Sequence, residues 1–332
     1  MLVLLKCKIV LIHILRKLLL LMKNKCRLCS TESSNTIEVQ EMMFGMKESF
    51  EYIICDECNS MSLVTIPNNL ADYYPENYYS FVKTERGNFK KWISNKKSAS
   101  NLGDFNLVGF LATLITGKNS NLKAIRMCGA NKNTSRVLDI GSGGGFLLDK
   151  LRDQGFKNIL GIEPYLEKDI QEKGYKIKKE TIEGLVESGS KFDIIILSHV
   201  FEHFEEPIKS VENMYKLLDT RGALILRTPI CPNLTFRKYE RHWFQIDAPR
   251  NILIPSFSGL KELFLQEGYD LQNYFFDSEG QQFSISQNYK KGIAMFSQKP
   301  VPYLQRIYNW LLAKFANLNN IGDQATFIFR KP

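Results

Sequence analysis

From residue 101 to the end of the chain, apolar positions recur with two alternating periods. Residues 105–128 carry them at helical spacing, and short β-branched runs follow at 136–140, 158–162, 192–197 and 223–227. Segments 146–154, 165–173, 207–218 and 256–267 lie between or after these runs and read as helices. Strands alternating with helices predict an α/β, doubly wound parallel sheet. Two late runs, 269–276 and 324–330, read as strands on either side of an insertion at about 277–320, within which 301–315 has an amphipathic helical pattern. A closing antiparallel hairpin interrupted by that insertion accounts for both.

The front of the chain follows different patterns. Residues 1–22 form an apolar and basic leader, 23–66 are organised by cysteine pairs, and 67–100 are aromatic and polar, including Tyr73-Tyr74-Pro75-Glu76-Asn77-Tyr78. The expected divisions are therefore a leader, a cysteine module, an ordered aromatic linker and one large domain over 101–332. With 332 residues, 44% hydrophobic and 24% charged, the chain can bury a full α/β core, which excludes disorder, collagen and coiled coil as its main character. Its formal charge is +9, but the leader holds Lys6, Lys8, Arg16 and Lys17 with no acid, so the remainder carries 9 − 4 = +5. That is a weak footprint for nucleic acid. The same cations cut the leader into runs too short to span the ~30 Å core of a bilayer. Three readings stand for it: an upstream start preceding Met22, a basic amphipathic helix on the anionic inner face of a membrane, or a spanning anchor.

Val137-Leu138-Asp139-Ile140-Gly141-Ser142-Gly143-Gly144-Gly145-Phe146 is an apolar strand running into a glycine turn that opens a helix. Glycines there let the backbone pass close to a ligand without a Cβ clash. The spacing is Gly-x-Gly-x-Gly, and Phe146 stands where a dinucleotide fingerprint needs its third glycine. The next strand ends in Glu163, 24 residues after Asp139, where a carboxylate can accept both hydroxyls of a ribose. These residues resemble the class I S-adenosylmethionine-dependent methyltransferases, and Phe192-Asp193-Ile194-Ile195-Ile196-Leu197-Ser198-His199 is similar to the family's fourth strand. The resemblance covers about 101–332 and implies a Rossmann-like seven-stranded methyltransferase sheet with S-adenosylmethionine as cofactor. It implies that Asp139, Gly141, Gly143 and Gly145, with Ser142 and Phe146 in the same turn, shape the methionine side of the pocket. By the same resemblance Glu163 holds the ribose, Ile182 lies near the adenine edge, and Ser198 and His199 close the pocket below the sulfonium.

Cys26-Arg27-Leu28-Cys29 and Cys55-Asp56-Glu57-Cys58, with 25 residues between them, have the spacing of a four-thiolate zinc ribbon. Four soft thiolates satisfy a tetrahedral zinc and leave no open position for chemistry, so the metal is expected to be structural; a redox pair and free thiols are the other readings. Cys7, Cys128 and Cys231 look unpaired. Paired Cys-x-x-Cys motifs in place of a disulfide framework point to a reducing, cytoplasmic compartment. A cysteine module, an aromatic linker and a methyltransferase domain in this order resemble bacterial methyltransferases of sugar and polysaccharide biosynthesis. The front is similar to deoxysugar C-methyltransferases, whose additional carboxy-terminal domain is absent here, which favours an oxygen acceptor.

His199-Val200-Phe201-Glu202-His203 matches the inverted zinc-peptidase pattern His-x-x-Glu-His, but it begins at the carboxyl end of an expected buried strand, where the methyltransferase family carries a similar Glu-His pair. Glu202 and His203 could also share a divalent ion. Methyl transfer is an in-line displacement that needs an aligned nucleophile and a proton acceptor, so His199 or His203 is the expected base and His242 the reserve. Arg241-His242-Trp243-Phe244-Gln245-Ile246-Asp247-Ala248-Pro249-Arg250 resembles an acceptor-side loop of glycan-linked enzymes, with Asn251 where that family commonly has His. Trp243 could stack on a sugar face and Arg250 could pair with phosphate.

The leading expectation is a methyltransferase acting on a hydroxyl of a small-molecule or glycan acceptor: a sugar, nucleotide-sugar or lipid-linked glycan. The alternatives are a tRNA or rRNA methyltransferase with the ribbon as clamp, which the acidic Cys55-Asp56-Glu57-Cys58 knuckle disfavours, a non-enzymatic cofactor-binding scaffold, and the zinc peptidase. Oligomeric state is not legible in the sequence.

Overall fold

The computed structural model describes residues 24–74 and 87–332. The leader and the Pro75-Glu76-Asn77-Tyr78 part of the aromatic segment lie outside the described residues. At the front, β1 (Asn24–Lys25) and β2 (Glu32–Ser33) pair across the first cysteine turn, and β3 (Thr36–Gln40), β4 (Ser49–Ile54) and β5 (Met61–Leu63) form an antiparallel meander through the second. Three helices follow, α1 (Asn88–Leu102), α2 (Leu107–Thr116) and α3 (Ser120–Met127). The expected linker thus ends in an ordered helix, and the stretch 105–128 is two helices broken at Gly117, which has φ +79.

Next come β6 (Arg136–Ile140), α4 (Phe146–Asp153), β7 (Asn158–Ile162), β8 (Ile170–Glu172), β9 (Tyr175–Lys178), α5 (Ile182–Glu187), β10 (Phe192–Ser198), α6 (Pro207–Leu217) and β11 (Leu218–Pro229). After α7 (Leu234–Tyr239) and the short β12 (Leu253–Ile254), the chain closes with α8 (Phe257–Gln266), β13 (Asp270–Phe276), α9 (Gln281–Lys290), α10 (Tyr303–Leu318) and β14 (Gln324–Arg330). The main sheet runs β13-β14-β11-β10-β6-β7-β9-β8. Strands β6, β7, β9, β10 and β11 are mutually parallel, β14 lies antiparallel between β11 and β13, and β8 is an antiparallel edge on β9. Chain order reverses between β6 and β10, and the crevice at such a switch point is where open α/β sheets bind ligands.

Side chains alternate along the strands as a two-sided burial requires. Ile195 and Leu197 of β10 share a core with Ile182 of α5, Val211 and Met214 of α6, and Leu260 and Phe264 of α8. Ile194 and Ile196 point the other way, into Leu122 and Ile125 of α3 and Leu148 and Leu151 of α4. This is a three-layer α/β/α architecture, with a mixed sheet of eight strands rather than the expected seven.

The eighth strand corrects the expected helix at 165–173. Pro164 opens that stretch, and Lys173-Gly174 closes a hairpin in which Glu172 pairs with Tyr175 and Gly174 has φ +96. Burial of Tyr175 and Ile177 on one side of β9 selects the strand over the helix. The front module packs directly on the large domain. Residues Leu253 and Ile254 of β12, far along the chain, pair with Ser62 and Met61 of β5 and extend the front sheet to four strands. Cys26, Leu28, Ile53 and Cys55 belong to the same apolar cluster as Leu197 and Leu226 of the main sheet.

Candidate functional site

The site begins where β6 turns into α4. Gly141, Gly143 and Gly145 have φ of +65, +49 and +81, a region open to glycine. The Gly141 and Ser142 amides both donate to the Ile162 carbonyl, at 2.9 and 3.1 Å, which ties the turn to the end of β7. A Cβ on Gly141 would stand 2.5 Å from Val200 Cγ2, and one on Gly145 would stand 2.9 Å from Ile177 Cδ1. Glu163, just past β7, accepts from the Gly143 amide at 3.2 Å and the Tyr165 amide at 3.3 Å. Burial raises its carboxyl above the ordinary value, against the pull of those amides and of His203.

Asp139 is buried at the end of β6, with no hydrogen-bond partner for its carboxyl among the described residues. Burial, with the charge of Glu163 adding, pushes it up to about 8. Ser142 Oγ is likewise buried and unpartnered. This donor set fits S-adenosylmethionine. A buried acid that ionises when a cation arrives matches the methionine ammonium, and Glu163 can take ribose hydroxyls. Phe146 is partly exposed at the first turn of α4, Ile182 is buried at the start of α5 behind its Thr181 cap, and Ser198 is half-buried at the end of β10.

His199 follows β10 with φ +57, an uncommon conformation for a non-glycine residue that turns the chain out of the sheet. Its two nitrogens are both engaged. Arg227 Nη1, which can only donate, lies 2.5 Å from Nε2, so Nε2 accepts and Nδ1–H donates to Glu202 Oε1 at 3.1 Å. Glu202 is fully buried. Burial opposes its charge, yet the hydrogen bond from His199 and the neighbouring His203 hold the carboxyl below its usual range. Its other oxygen accepts from Thr228 Oγ1 at 3.0 Å, and Arg227 is held in turn by Asp277 at 2.7 Å. His199 therefore has no lone pair to offer as a base.

His203 is arranged differently. Its Nδ1 lies 2.8 Å from the Arg250 carbonyl, which can only accept, so Nδ1 carries the proton and Nε2 the lone pair. The ring is half-buried, edge-on to Tyr74 at 6.4 Å between centroids, and close enough to Glu163 to act on its charge. His242 sits elsewhere, on a turn packed against β3 and α9. Burial, then Arg241 and Lys290, lower its pKa.

The two substrate residues expected from the loop are corrected by their burial. Trp243 is 1% exposed, in a core with Tyr52, Met61 and Ile254, so its faces are covered by protein rather than open to a sugar. Arg250 is 0% exposed and already neutralised: Nε and Nη2 reach Asp247, Nη2 reaches Glu41 at 2.8 Å, and Nη1 donates to the Tyr73 carbonyl at 3.2 Å. It positions His203 through its own backbone carbonyl and has no surface for phosphate. Glu41 also accepts from the Phe44 and Met46 amides, both at 3.0 Å. Glu41, Arg227 and Asp277 were not singled out in the sequence; a lone acid beside Met42-Met43-Phe44 is the one local sign of a buried ion pair.

Cys26, Cys29, Cys55 and Cys58 converge, with all four sulfurs within 4.8 Å of one another, and Cys26–Cys58 and Cys29–Cys55 separations of 3.7 and 3.5 Å. A zinc–sulfur bond of ~2.3 Å gives a tetrahedron edge of ~3.8 Å, which these two separations approach, so the four thiolates fit a zinc ion. Ser30 and Asn59, one residue beyond each pair, have φ +60 and +59 and close matching turns, with the Ser30 and Asn59 amides donating to the Cys26 and Cys55 carbonyls at 2.9 Å. The cysteines are the group able to bind a metal among the described residues. The peptidase reading is corrected by geometry: 199–203 is a strand end and a 3-10 turn rather than a helix, and both nitrogens of His199 and both oxygens of Glu202 are already taken up by hydrogen bonds.

Residues 118–274 match the family described as methyltransferase domain. The match runs from the start of α3 into β13 and contains the glycine turn, Glu163 and the end of β10. Residues 118–274 thus form a methyltransferase domain on a doubly wound α/β sheet. Over 154 residues the chain is 29% identical to a tRNA U34 carboxymethyltransferase of Helicobacter pylori (strain G27), covering 40% of this chain and 56% of that protein. It is 30% identical over 101 residues to a ubiquinone biosynthesis O-methyltransferase of Ruegeria pomeroyi, covering 28% of this chain and 40% of that one. A SAM dependent methyltransferase from Archaeoglobus fulgidus superposes with a TM-score of 0.41 and 18% identity, over 67% of this chain and 99% of that structure. The chain spans just over half the length of the Helicobacter relative, and both curated relatives are named for substrates other than sugars.

Proposed function

We propose that the protein transfers the methyl group of S-adenosylmethionine to a hydroxyl oxygen of a sugar, nucleotide-sugar or lipid-linked glycan, with His203 as general base. The observation that carries this reading is the His203 ring, whose Nδ1 is held by the Arg250 carbonyl and whose Nε2 keeps its lone pair. A hydroxyl is too weakly acidic to ionise near neutrality, so displacement needs a positioned proton acceptor as the new C–O bond forms. S-adenosylmethionine supplies the electrophilic methyl. Asp139 and Glu163 hold its ammonium and ribose, the glycine turn admits the backbone close to it, and His203 Nε2 takes the hydroxyl proton. Tyr74 packs against the imidazole and keeps water from that side.

The likeness to a ubiquinone biosynthesis O-methyltransferase supports oxygen as the nucleophile. A tRNA acceptor is the second reading, favoured by the likeness to the Helicobacter enzyme. Against the ribbon as its clamp, the second knuckle carries Asp56 and Glu57, and Leu28 and Cys58 pack on Gly259 of α8. The test incubates the protein and labelled S-adenosylmethionine with nucleotide-sugars, lipid-linked sugars and total tRNA. Label on a glycan oxygen, lost in His203→Ala, is expected. Label on tRNA would move the acceptor class, and cofactor binding without any transfer would leave the scaffold reading.

A further inference from the structure

Helix α2 has an apolar sequence, and among the described residues it packs mainly on α1. Gly109 is its one buried residue, and the missing Cβ lets the helix rest on the Lys96 carbonyl of α1. Leu107, Phe110, Leu111, Leu114 and Ile115 are between 47% and 83% exposed. Helix α10 repeats the arrangement, with Leu304, Trp310, Leu311 and Leu318 each at least 52% exposed. Residues 279 and 280 lie between α1 and α10. Lys97, whose Nζ donates to Thr116 Oγ1 of α2 at 2.6 Å, is acted on by the charge of Glu279, and a Cβ on the adjacent Gly280 would meet the backbone of Asn309 and Trp310 in α10.

The charge around this apolar face is predominantly positive. From Gly87 to Lys118 there are five lysines, Lys90, Lys91, Lys96, Lys97 and Lys118, and one acid, Asp104, so the net charge is 5 − 1 = +4. Asp104 is already paired with Lys132 at 2.9 Å. Helix α10 holds Arg306 and Lys314 and no acid. On α1, Phe89 and Trp92 are exposed and stacked at 6.0 Å.

We propose that α1, α2 and α10 form a docking surface for an anionic lipid bilayer, with α2 and α10 lying in the headgroup layer, their apolar side chains inward, and the lysines of α1 pairing with lipid phosphates. Apolar patches of this extent on a soluble surface mark interaction sites, and basic residues flanking aromatic and aliphatic ones are the signature of an interfacial helix. No helix among the described residues is long and apolar enough to cross a membrane, so the surface lies on the bilayer rather than through it. A second copy of the chain is the poorer occupant, because two-fold pairing would bring +4 against +4. Nucleic acid would meet the lysines and leave α2 and α10 in water. The inference does not depend on the acceptor.

The test is co-sedimentation of the full chain with phosphatidylcholine vesicles, with and without phosphatidylglycerol. Binding to the anionic vesicles alone is expected, falling at least about tenfold in Leu114→Ser/Ile115→Ser and again in Lys90→Glu/Lys91→Glu, while S-adenosylmethionine affinity stays at wild type in both. Equal vesicle binding by wild type and both variants would place any membrane contact elsewhere and overturn the proposal. Absence of vesicle binding with a dimer in solution that Leu114→Ser/Ile115→Ser dissolves would overturn it in favour of a second copy.

Discussion

The buried carboxyl of Asp139 makes cofactor binding a proton-linked event. With a pKa of about 8 in the free protein, Asp139 is roughly one-tenth ionised at pH 7. An ammonium brought into the same cleft favours the carboxylate, so forming the complex expels the proton. The sign follows directly: below about pH 8 each unit of falling pH costs roughly tenfold in affinity for S-adenosylmethionine, and above it the affinity levels off. Calorimetry from about pH 6 to about pH 9, in buffers of different ionisation enthalpy, should find roughly 0.9 proton released per cofactor at pH 7. Glu163 is the other carboxyl in this cleft raised by burial, and Asp139→Asn separates the two. The Asn variant should bind with a flattened pH profile and more weakly than wild type at high pH. A pH-independent affinity in the wild type without proton release, or an unchanged slope in Asp139→Asn, would refute the reasoning.

Three further outcomes are expected. Arg250→Met leaves the fully buried Glu41 and the partly buried Asp247 without their cation, which should cost about 3–5 kcal/mol in urea unfolding; a change under about 1 kcal/mol would mean the Arg250–Glu41 pair is not buried as described. Single-turnover methyl transfer should fall ~10²–10⁴-fold in His203→Ala with cofactor affinity intact, whereas His242→Ala should keep the wild-type rate; the reverse order would reassign the base. Elemental analysis should find one zinc per chain, lost in Cys26→Ser/Cys58→Ser. Because Cys26 and Cys55 share the main core, the melting temperature of the whole protein should drop with the metal, and an unchanged melt would contradict that shared packing.

Much of this was legible locally. The glycine turn, the acid ending β7 and the Cys-x-x-Cys pairs each depend on neighbours within a few residues, where backbone conformation and ligand spacing are set by the chain itself. The parallel strands were legible because burial on both faces leaves continuous apolar runs. The third strand was not, since Tyr175-Lys176-Ile177-Lys178 is short and alternating, and a one-sided pattern over four residues separates poorly from a helical one.

What the sequence by itself determined is therefore the α/β architecture, the glycine turn and the convergence of the paired cysteines, all encoded at short range. The choice among histidines belongs to the tertiary structure. His199 and His203 are equivalent on paper, and they differ because Arg227 donates to the lone pair of one while the Arg250 carbonyl accepts from Nδ1–H of the other and leaves its Nε2 free. Arg250 is placed by Glu41, 209 positions away, and by a loop whose β12 completes the front sheet. Burial and hydrogen-bond partners at that separation are set by packing, so the protonation of a ring, and the reassignment of Trp243 and Arg250 from substrate contacts to core, were decided only when the chain folded.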